Sequence, residues 1–173
     1  MEEIIINKVA ESALITIDLE KFYPQGDTAI FDLKDYLFME LILKEKDFRE
    51  ELKSMNFSIY QDKNVGITCS TDAIIPVWAY MLAASYIEPY AREIVFGNET
   101  VIQDVLFLKN LWKLDAAEFM NKRVVVKGCG EKKIPETAYV EITKILRPVA
   151  KSIMYGEPCS TVPIYKQAKT PIA

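Results

Sequence analysis

From residue 64 onward, short runs of β-branched residues alternate with longer helical segments. Three predicted strands occupy residues 65–69, 93–96 and 123–127. Three predicted helices occupy residues 76–88, 99–112 and 136–151, and Pro148 is expected to interrupt the last one near Leu146. Strands that alternate with helices in this order are typical of βαβ units around a parallel sheet, so the chain is constrained to an α/β fold.

The first third of the chain has a different pattern. Residues 14–19 and 28–33 predict two strands, and the turn residues Pro24 and Gly26 lie between them. We therefore expect an antiparallel hairpin that joins the sheet. Short helices are predicted at about 34–39 and 45–55, and we find no internal repeat, low-complexity tract or linker.

Length and composition favour a single domain. The chain has 173 residues, of which 50% are apolar, and this is enough for one substantial core. The predicted fold class is therefore a single three-layer α/β domain over 1–173, with a small mixed sheet, parallel βαβ units and the N-terminal antiparallel hairpin. Within it we expect a hairpin with helices over 1–60, a βαβαβα core over 61–155, and a C-terminal loop and tail over 156–173.

Charge and hydropathy narrow the range of partners. The net charge of −4 and the sequence pI of about 5.1 leave no broad basic surface for nucleic acid. The longest uncharged segment, 73–87, is shorter than the roughly 20 residues that span a bilayer, which predicts a helix buried in the core and no membrane association. The acidic start at Glu2 and Glu3 does not resemble a secretory signal, so we expect a cytoplasmic protein of unknown oligomeric state.

The chain contains three cysteines and no histidine. The lack of histidine excludes Ser-His-Asp and Cys-His catalytic systems and histidine-ligated zinc. An odd number of widely spaced cysteines argues against a disulfide framework. Cys69, Cys129 and Cys159 are therefore expected to be reduced thiols or metal ligands.

The predicted topology suggests that the cysteines meet. Cys69 and Cys129 follow two parallel strands, whose carboxyl ends lie at one edge of a sheet. Cys159 lies in a proline-containing loop that could return to that edge. Three thiolates suit zinc or iron, with Asp72 as the candidate fourth ligand. The alternative is that the cysteines are small core residues and that Asp72 is the N-cap of the following helix.

Three segments resemble a known family. They are TCSTDAIIPVWAYM over 68–81, KGC over 127–129 and GEPCSTVP over 156–163. Together they are similar to a bacterial family known as domain of unknown function 2480, and the similarity extends over nearly the whole chain, including 18–20 and 43–49. The resemblance implies a thiol-rich accessory to metal or sulfur handling, with iron–sulfur assembly proteins as partners and an iron–sulfur cluster as a further possible cofactor. It implies no catalytic residues.

Three functional hypotheses follow. The first is a cytosolic metal- or iron–sulfur-related accessory protein that binds zinc or iron through Cys69, Cys129 and Cys159, supported by Asp72. The second is a thiol or persulfide sulfur-transfer enzyme. The third is a non-catalytic interaction domain whose cysteines are structural, and whether the chain is an enzyme stays open.

Overall fold

The structure, a computed structural model, describes residues 14–128 and 130–168. Its nine strands are β1 (Leu14–Asp18), β2 (Thr28–Asp32), β3 (Leu37–Phe38), β4 (Ile42–Leu43), β5 (Asn64–Thr68), β6 (Glu93–Phe96), β7 (Arg123–Lys127), β8 (Ser152–Glu157) and β9 (Ser160–Lys166). Its four α-helices are α1 (Glu45–Ser54), α2 (Val77–Ile87), α3 (Glu99–Leu111) and α4 (Glu136–Leu146). The protein is thus an α/β structure with parallel strands and antiparallel hairpins, which confirms the predicted fold class.

The chain divides into two compact units. Unit 1 consists of residues 1–23 and 106–173, and unit 2 of residues 24–105. The sheet of unit 1 has the strand order β1-β7-β8-β9, and that of unit 2 has the order β2-β5-β6. Unit 2 is therefore inserted into unit 1 between residues 23 and 106, and its second boundary falls within α3. That the whole chain acts as one domain, with the internal boundaries given above, stays a prediction.

The two units have corresponding elements in the same order. In each, a first strand is followed by a 3₁₀ helix, at Leu19–Phe22 in unit 1 and at Leu33–Tyr36 in unit 2. A second 3₁₀ helix, at Ala116–Phe119 or Phe57–Tyr60, then precedes a strand, a helix and a further strand. In each sheet, the first strand pairs in parallel with the second, and the second with the third.

An internal repeat explains this correspondence. Residues 48–97 align without a gap with residues 107–156. The identical pairs are Phe48/Phe107, Leu52/Leu111, Lys63/Lys122, Val65/Val124, Ile75/Ile134, Pro76/Pro135, Ala79/Ala138, Tyr80/Tyr139, Pro89/Pro148, Ala91/Ala150, Ile94/Ile153 and Gly97/Gly156. The absence of an internal repeat that we expected from the sequence is therefore wrong, because most of the remaining positions keep only their apolar or polar character.

The backbone supports the repeat in detail. Asp18 and Asp32 each end the first strand, and each accepts a hydrogen bond from the backbone N–H two residues later. Asp62 and Asn121, which are equivalent, both have a positive φ, of 58° and 59°. The first strand also pairs in the same register in both units, since Asp18 lies opposite Lys127 and Asp32 opposite the equivalent Thr68.

The predicted hairpin between residues 14–19 and 28–33 is wrong. These segments form β1 and β2, which belong to different sheets and pair in parallel with β7 and β5. An apolar–polar alternation marks a strand but does not identify its partner, and the turn at 24–27 in fact follows the boundary between the units. The hairpin of the N-terminal third is instead formed by β3 and β4.

The C-terminal region also differs from the sequence prediction. Helix α4 ends at Leu146, two residues before Pro148, as expected for a proline that cannot continue the helix. The predicted continuation to residue 151 and the loop after 156 give way to β8 and β9, which pair antiparallel. Gly156 lies in β8 with a φ of 121°, a backbone conformation that favours glycine.

Each unit has its own hydrophobic core. In unit 1, Phe107 and Leu146 are fully buried with the inward residues of β7. In unit 2, Phe48 and Ile87 are fully buried with those of β5. These cores hold each helix against one face of its sheet, so the carboxyl ends of the parallel strands stay accessible to form sites. Within the described residues, no helix is long and apolar enough to cross a membrane.

Candidate functional site

The described cysteines lie in two different settings. Cys69 directly follows β5 and is half-buried, and its Sγ lies 3.6 Å from the carbonyl oxygen of Thr71. Cys159 is exposed in the turn between β8 and β9. Cys129 lies outside the described residues. The strands before Cys69 and Cys129 belong to different sheets, so the assumption that they are neighbours in one sheet does not hold.

The described part of the chain offers no metal site. Among its Cys, Asp and Glu side chains, no group of three or more is placed to hold a metal ion. The predicted function, an accessory protein that binds a metal through three cysteines, is therefore wrong. The individual ligand roles of Cys69, Asp72, Cys129 and Cys159, and zinc or iron as their cofactor, are not tested by this finding and stay sequence predictions.

Asp72 does not cap a helix. Helix α2 begins at Val77, and its N-cap position is occupied by Pro76 without a side-chain hydrogen bond. Asp72 is exposed and lies in the loop before it. The same loop separates Cys69 from α2, so this thiol does not lie at the N-terminus of the helix.

At the carboxyl edge of the unit 2 sheet, Asp32 organises the loops. Its Oδ1 accepts hydrogen bonds from the backbone N–H groups of Lys34 and Ser70, each at 3.0 Å. Burial opposes ionisation of this carboxyl, but the hydrogen bonds from Ser70 and Lys34 outweigh it and lower its pKa. Nearby, the pKa of Tyr80 is raised by burial first and then by negative charge on Cys69 and Asp32. This edge therefore favours a neutral phenol beside an ionised carboxylate.

The equivalent edge of unit 1 has more charges. Glu20 accepts a hydrogen bond from the backbone N–H of Lys132 at 3.0 Å, and Lys127 forms an ion pair with Glu157 at 3.1 Å. A hydrogen bond to Glu157 raises the pKa of Lys127, which is partly buried. The hydroxyl of Tyr139 donates to the carbonyl oxygen of Gly128. These contacts hold the described residues of the loop after β7 in place.

An apolar surface distinguishes unit 2. We define the α2 surface as the side chains of Ile74, Val77, Met81 and Phe96, which are 93%, 74%, 69% and 70% exposed. Val77 and Met81 are four residues apart and share one face of α2. Ile74 lies three residues before Val77. The ring of Phe96 packs edge-on against that of Tyr80 on the same helix, with 5.3 Å between centroids. Val77 and Met81 thus line one side of α2, Phe96 lies at the adjacent end of β6, and Ile74 lies in the loop directly before the helix.

The repeat shows how unusual this surface is. The residues of unit 1 equivalent to Ile74 and Val77 are Lys133 and Glu136, and both are exposed. Helix α4 also carries Glu141 and Lys144, which form an ion pair, whereas α2 has no charged residue. At the same place in the same architecture, one unit therefore has a charged, solvated helix and the other an exposed apolar one.

This surface was not predicted from the sequence. The lack of charge over 73–87 predicted a helix buried in the core, and Ala79, Ala83 and Ile87 are indeed fully buried. The opposite face of α2 remains exposed, because the unit packs the helix on one side only. The signal that could have revealed it is the comparison of the two repeats, in which charged residues of α4 align with apolar residues of α2.

The comparisons with known proteins give a family but no activity. No curated protein and no solved structure matches the chain. A family model described as "protein of unknown function" matches residues 3–167, which confirms the resemblance seen in the sequence. That description lends no support to iron–sulfur assembly proteins as partners. Because the match spans almost the entire sequence, the chain belongs to the family of proteins of unknown function DUF2480.

Proposed function

We propose that this protein is a protein-binding module, which recognises an apolar segment of a partner through the α2 surface of unit 2. The observation that carries the proposal is the exposure of Ile74, Val77 and Phe96, beside the exposed Met81, at positions where the other repeat has charged or partly covered residues in place of these three. Single exposed apolar side chains are common on proteins, but a contiguous group of large ones marks an interaction site. The cytoplasmic location stays a prediction of the sequence.

The energetics favour an apolar partner. Each square ångström of apolar surface removed from water contributes about 25 cal/mol, so burial of several large side chains stabilises a complex appreciably. The surface contains Met81, a flexible side chain that adapts to differently shaped partners, and the aromatic ring of Phe96. Aromatic side chains at the centre of an interface contribute strongly to binding. No charge has to be desolvated on α2 itself.

The chain itself supplies a test variant. Ile74→Lys together with Val77→Glu introduces the residues that unit 1 carries at the same two positions. Both side chains are exposed, so the free energy of unfolding should change by no more than about 0.5 kcal/mol. Binding should fall at least about tenfold, because two charges would be buried without partners. A photo-crosslinking residue at Met81 of otherwise unchanged protein should label the partner, and the double variant should lose this label.

A matched control uses unit 1. A photo-crosslinking residue at Val140, which is equivalent to Met81, should not label the same partner, and the charge exchange Lys133→Glu with Glu136→Lys should leave labelling at Met81 unchanged. Equal labelling by the wild type and the double variant would show that the α2 surface does not bind the partner.

A further inference from the structure

Among the residues that the structure describes, strand β6 is the outer strand of its sheet, next to the α2 surface. It pairs with β5 on one side, and in the strand order β2-β5-β6 it is the last member. The N–H of Gly97 donates to the carbonyl oxygen of Ile67 in β5, at 3.0 Å. Because the backbone N–H and C=O groups of successive residues point to alternate sides of a strand, those groups of Ile94 and Phe96 point to the outer side of β6. This edge offers backbone donors and acceptors to an added strand.

The equivalent edge in unit 1 is covered by a strand. There, β8 pairs antiparallel with β9, and Tyr155 lies opposite Val162. Beyond this pairing, the N–H of Gln167 donates to the carbonyl oxygen of Lys151, at 2.9 Å. Lys151 is equivalent to Arg92, directly before β6. The repeat therefore shows which kind of structure fits this edge.

The side chains beside the two edges also correspond. Tyr139 and Tyr155 of unit 1 pack edge-on with centroids 5.7 Å apart, and the equivalent Tyr80 and Phe96 of unit 2 do so at 5.3 Å. Tyr155 is half-buried where β9 lies beside it, whereas Phe96 is 70% exposed. The greater exposure of Phe96 is expected if the strand that pairs beside it is supplied by another molecule.

Strand β9 also indicates the side chains that such a strand needs. Ile164 lines a pocket of 350 Å³ on the α4 side of the sheet, together with Tyr139 and Tyr155. Val162, two residues earlier, lies opposite Tyr155 and on the same side. An added strand with apolar residues at alternate positions would place them over α2 in the same manner. In unit 2 these side chains would meet Met81 and Phe96.

We propose that the partner binds as an extended segment, which adds to β6 antiparallel as β9 adds to β8 and places alternate apolar side chains on the α2 surface. This inference rests on the proposed function and specifies its partner as a β-strand rather than a helix or a folded face. Backbone hydrogen bonds to Ile94 and Phe96 supply affinity, and the α2 surface selects the apolar side chains.

The experiment uses a displayed library of random linear twelve-residue peptides, selected on the full chain. Selected peptides should contain apolar residues at alternate positions and should bind the Ile74→Lys, Val77→Glu variant at least tenfold more weakly. Amide hydrogen exchange of the complex should show the N–H groups of Ile94 and Phe96 slowed at least tenfold relative to the free protein. Those of Val95 and Gly97, which face β5, should change less.

The outcomes separate the two proposals. Peptides that bind through the α2 surface but leave the amides of Ile94 and Phe96 unprotected would overturn strand addition and leave the proposed function intact. If the selection yields no peptide that depends on this surface, strand addition is also overturned. The proposed function is still decided by crosslinking from Met81. If the wild type forms a homodimer and the double variant is monomeric, strand addition by a separate partner is overturned as well, since the α2 surface would then bind a second copy of the chain.

A control variant on unit 1 tests the role of the open edge. Lys133→Ile with Glu136→Val creates similar apolar residues on α4, where β9 already covers the edge. Strand addition predicts that this variant gains no second peptide site. Two peptides bound per chain would show that an apolar helix face is sufficient and that the edge of β6 is not required.

Discussion

Tyr36 is a residue of unit 2 whose ionisation makes the stability of the fold depend on pH. It is half-buried, stacks on Phe31 with 5.0 Å between ring centroids, and its hydroxyl donates to the Sδ of Met55. Burial, followed by the negative charges of Tyr60, Asp35 and Glu51, raises its pKa to about 12. The folded protein therefore holds this proton more tightly than the unfolded chain, in which tyrosine has a pKa of about 10.

The first prediction concerns the pH dependence of stability. Below about pH 10 the phenol is protonated in both states, so its contribution is fully present. Between about pH 10 and pH 12 the unfolded chain loses the proton first, and the free energy of unfolding falls. Urea unfolding of the wild type and Tyr36→Phe at about pH 8 and about pH 11 should show a smaller loss in the variant. Equal losses of unfolding free energy in the wild type and the variant would contradict the raised pKa of Tyr36. Because Tyr36 is partly exposed, the difference between the two proteins is smaller than full burial would give.

Single residues also show the limit of local sequence patterns. The short helix predicted at about 45–55 is present as α1, and its charged residues over 45–51 are exposed. The convergence of Cys69 with Cys129, however, depended on strand order. Strand order is set by contacts between distant segments, so it could not be read from the residues around each cysteine.

Among the secondary-structure elements, helices and central strands were predictable and edge pairings were not. Strands β6 and β7 and helix α3 have bounds within one residue of those predicted, because their apolar periodicity is strong. Strands β8 and β9 were missed, since Val149 and Ile153 extend the helical stripe of α4 beyond Pro148. The candidate surface on α2 was missed for a related reason: an uncharged helix is consistent with burial on every side or on one side only.

The second prediction concerns the centre of β5. Gly66 is equivalent to the buried Val125, but a Cβ at position 66 would lie 2.5 Å from the carbonyl oxygen of Gly97 and 2.8 Å from Cδ1 of Ile102. Gly66→Ala should therefore reduce the free energy of unfolding by about 1–3 kcal/mol. Urea denaturation measures this, with the exposed Thr100→Ala as a control that should change it by less than about 0.5 kcal/mol. Equal stability of both variants would refute the close packing.

For the whole molecule, the main feature is the insertion of unit 2 into unit 1. Unit 2 is contiguous over 24–105, and its buried residues form their own cluster. Unit 1 needs both ends of the chain, because β1 pairs with β7. The sequence did not reveal this architecture, since similarity between the repeats lies mainly in the apolar pattern and in scattered identities such as Tyr80 and Tyr139.

The third prediction follows from this organisation. A fragment of residues 24–105 should fold alone, because its strands, helices α1 and α2 and core all lie within it. We expect a cooperative urea transition and helical circular dichroism from the isolated fragment. A matched fragment of residues 106–173 lacks β1, and it should unfold at lower urea or without cooperativity. The reverse order of stability would contradict the division into these units.

The same insertion affects how the protein is made. On the ribosome, Leu14 emerges long before Arg123, the residue opposite it in the sheet. At a translation rate of 5–20 residues per second, β7 is synthesised roughly 5–20 s after β1. By then the whole of unit 2 has been synthesised and can fold. During translation, β1 therefore lacks its partner strand for longer than β2 does, and an unpaired strand of this kind is prone to aggregation.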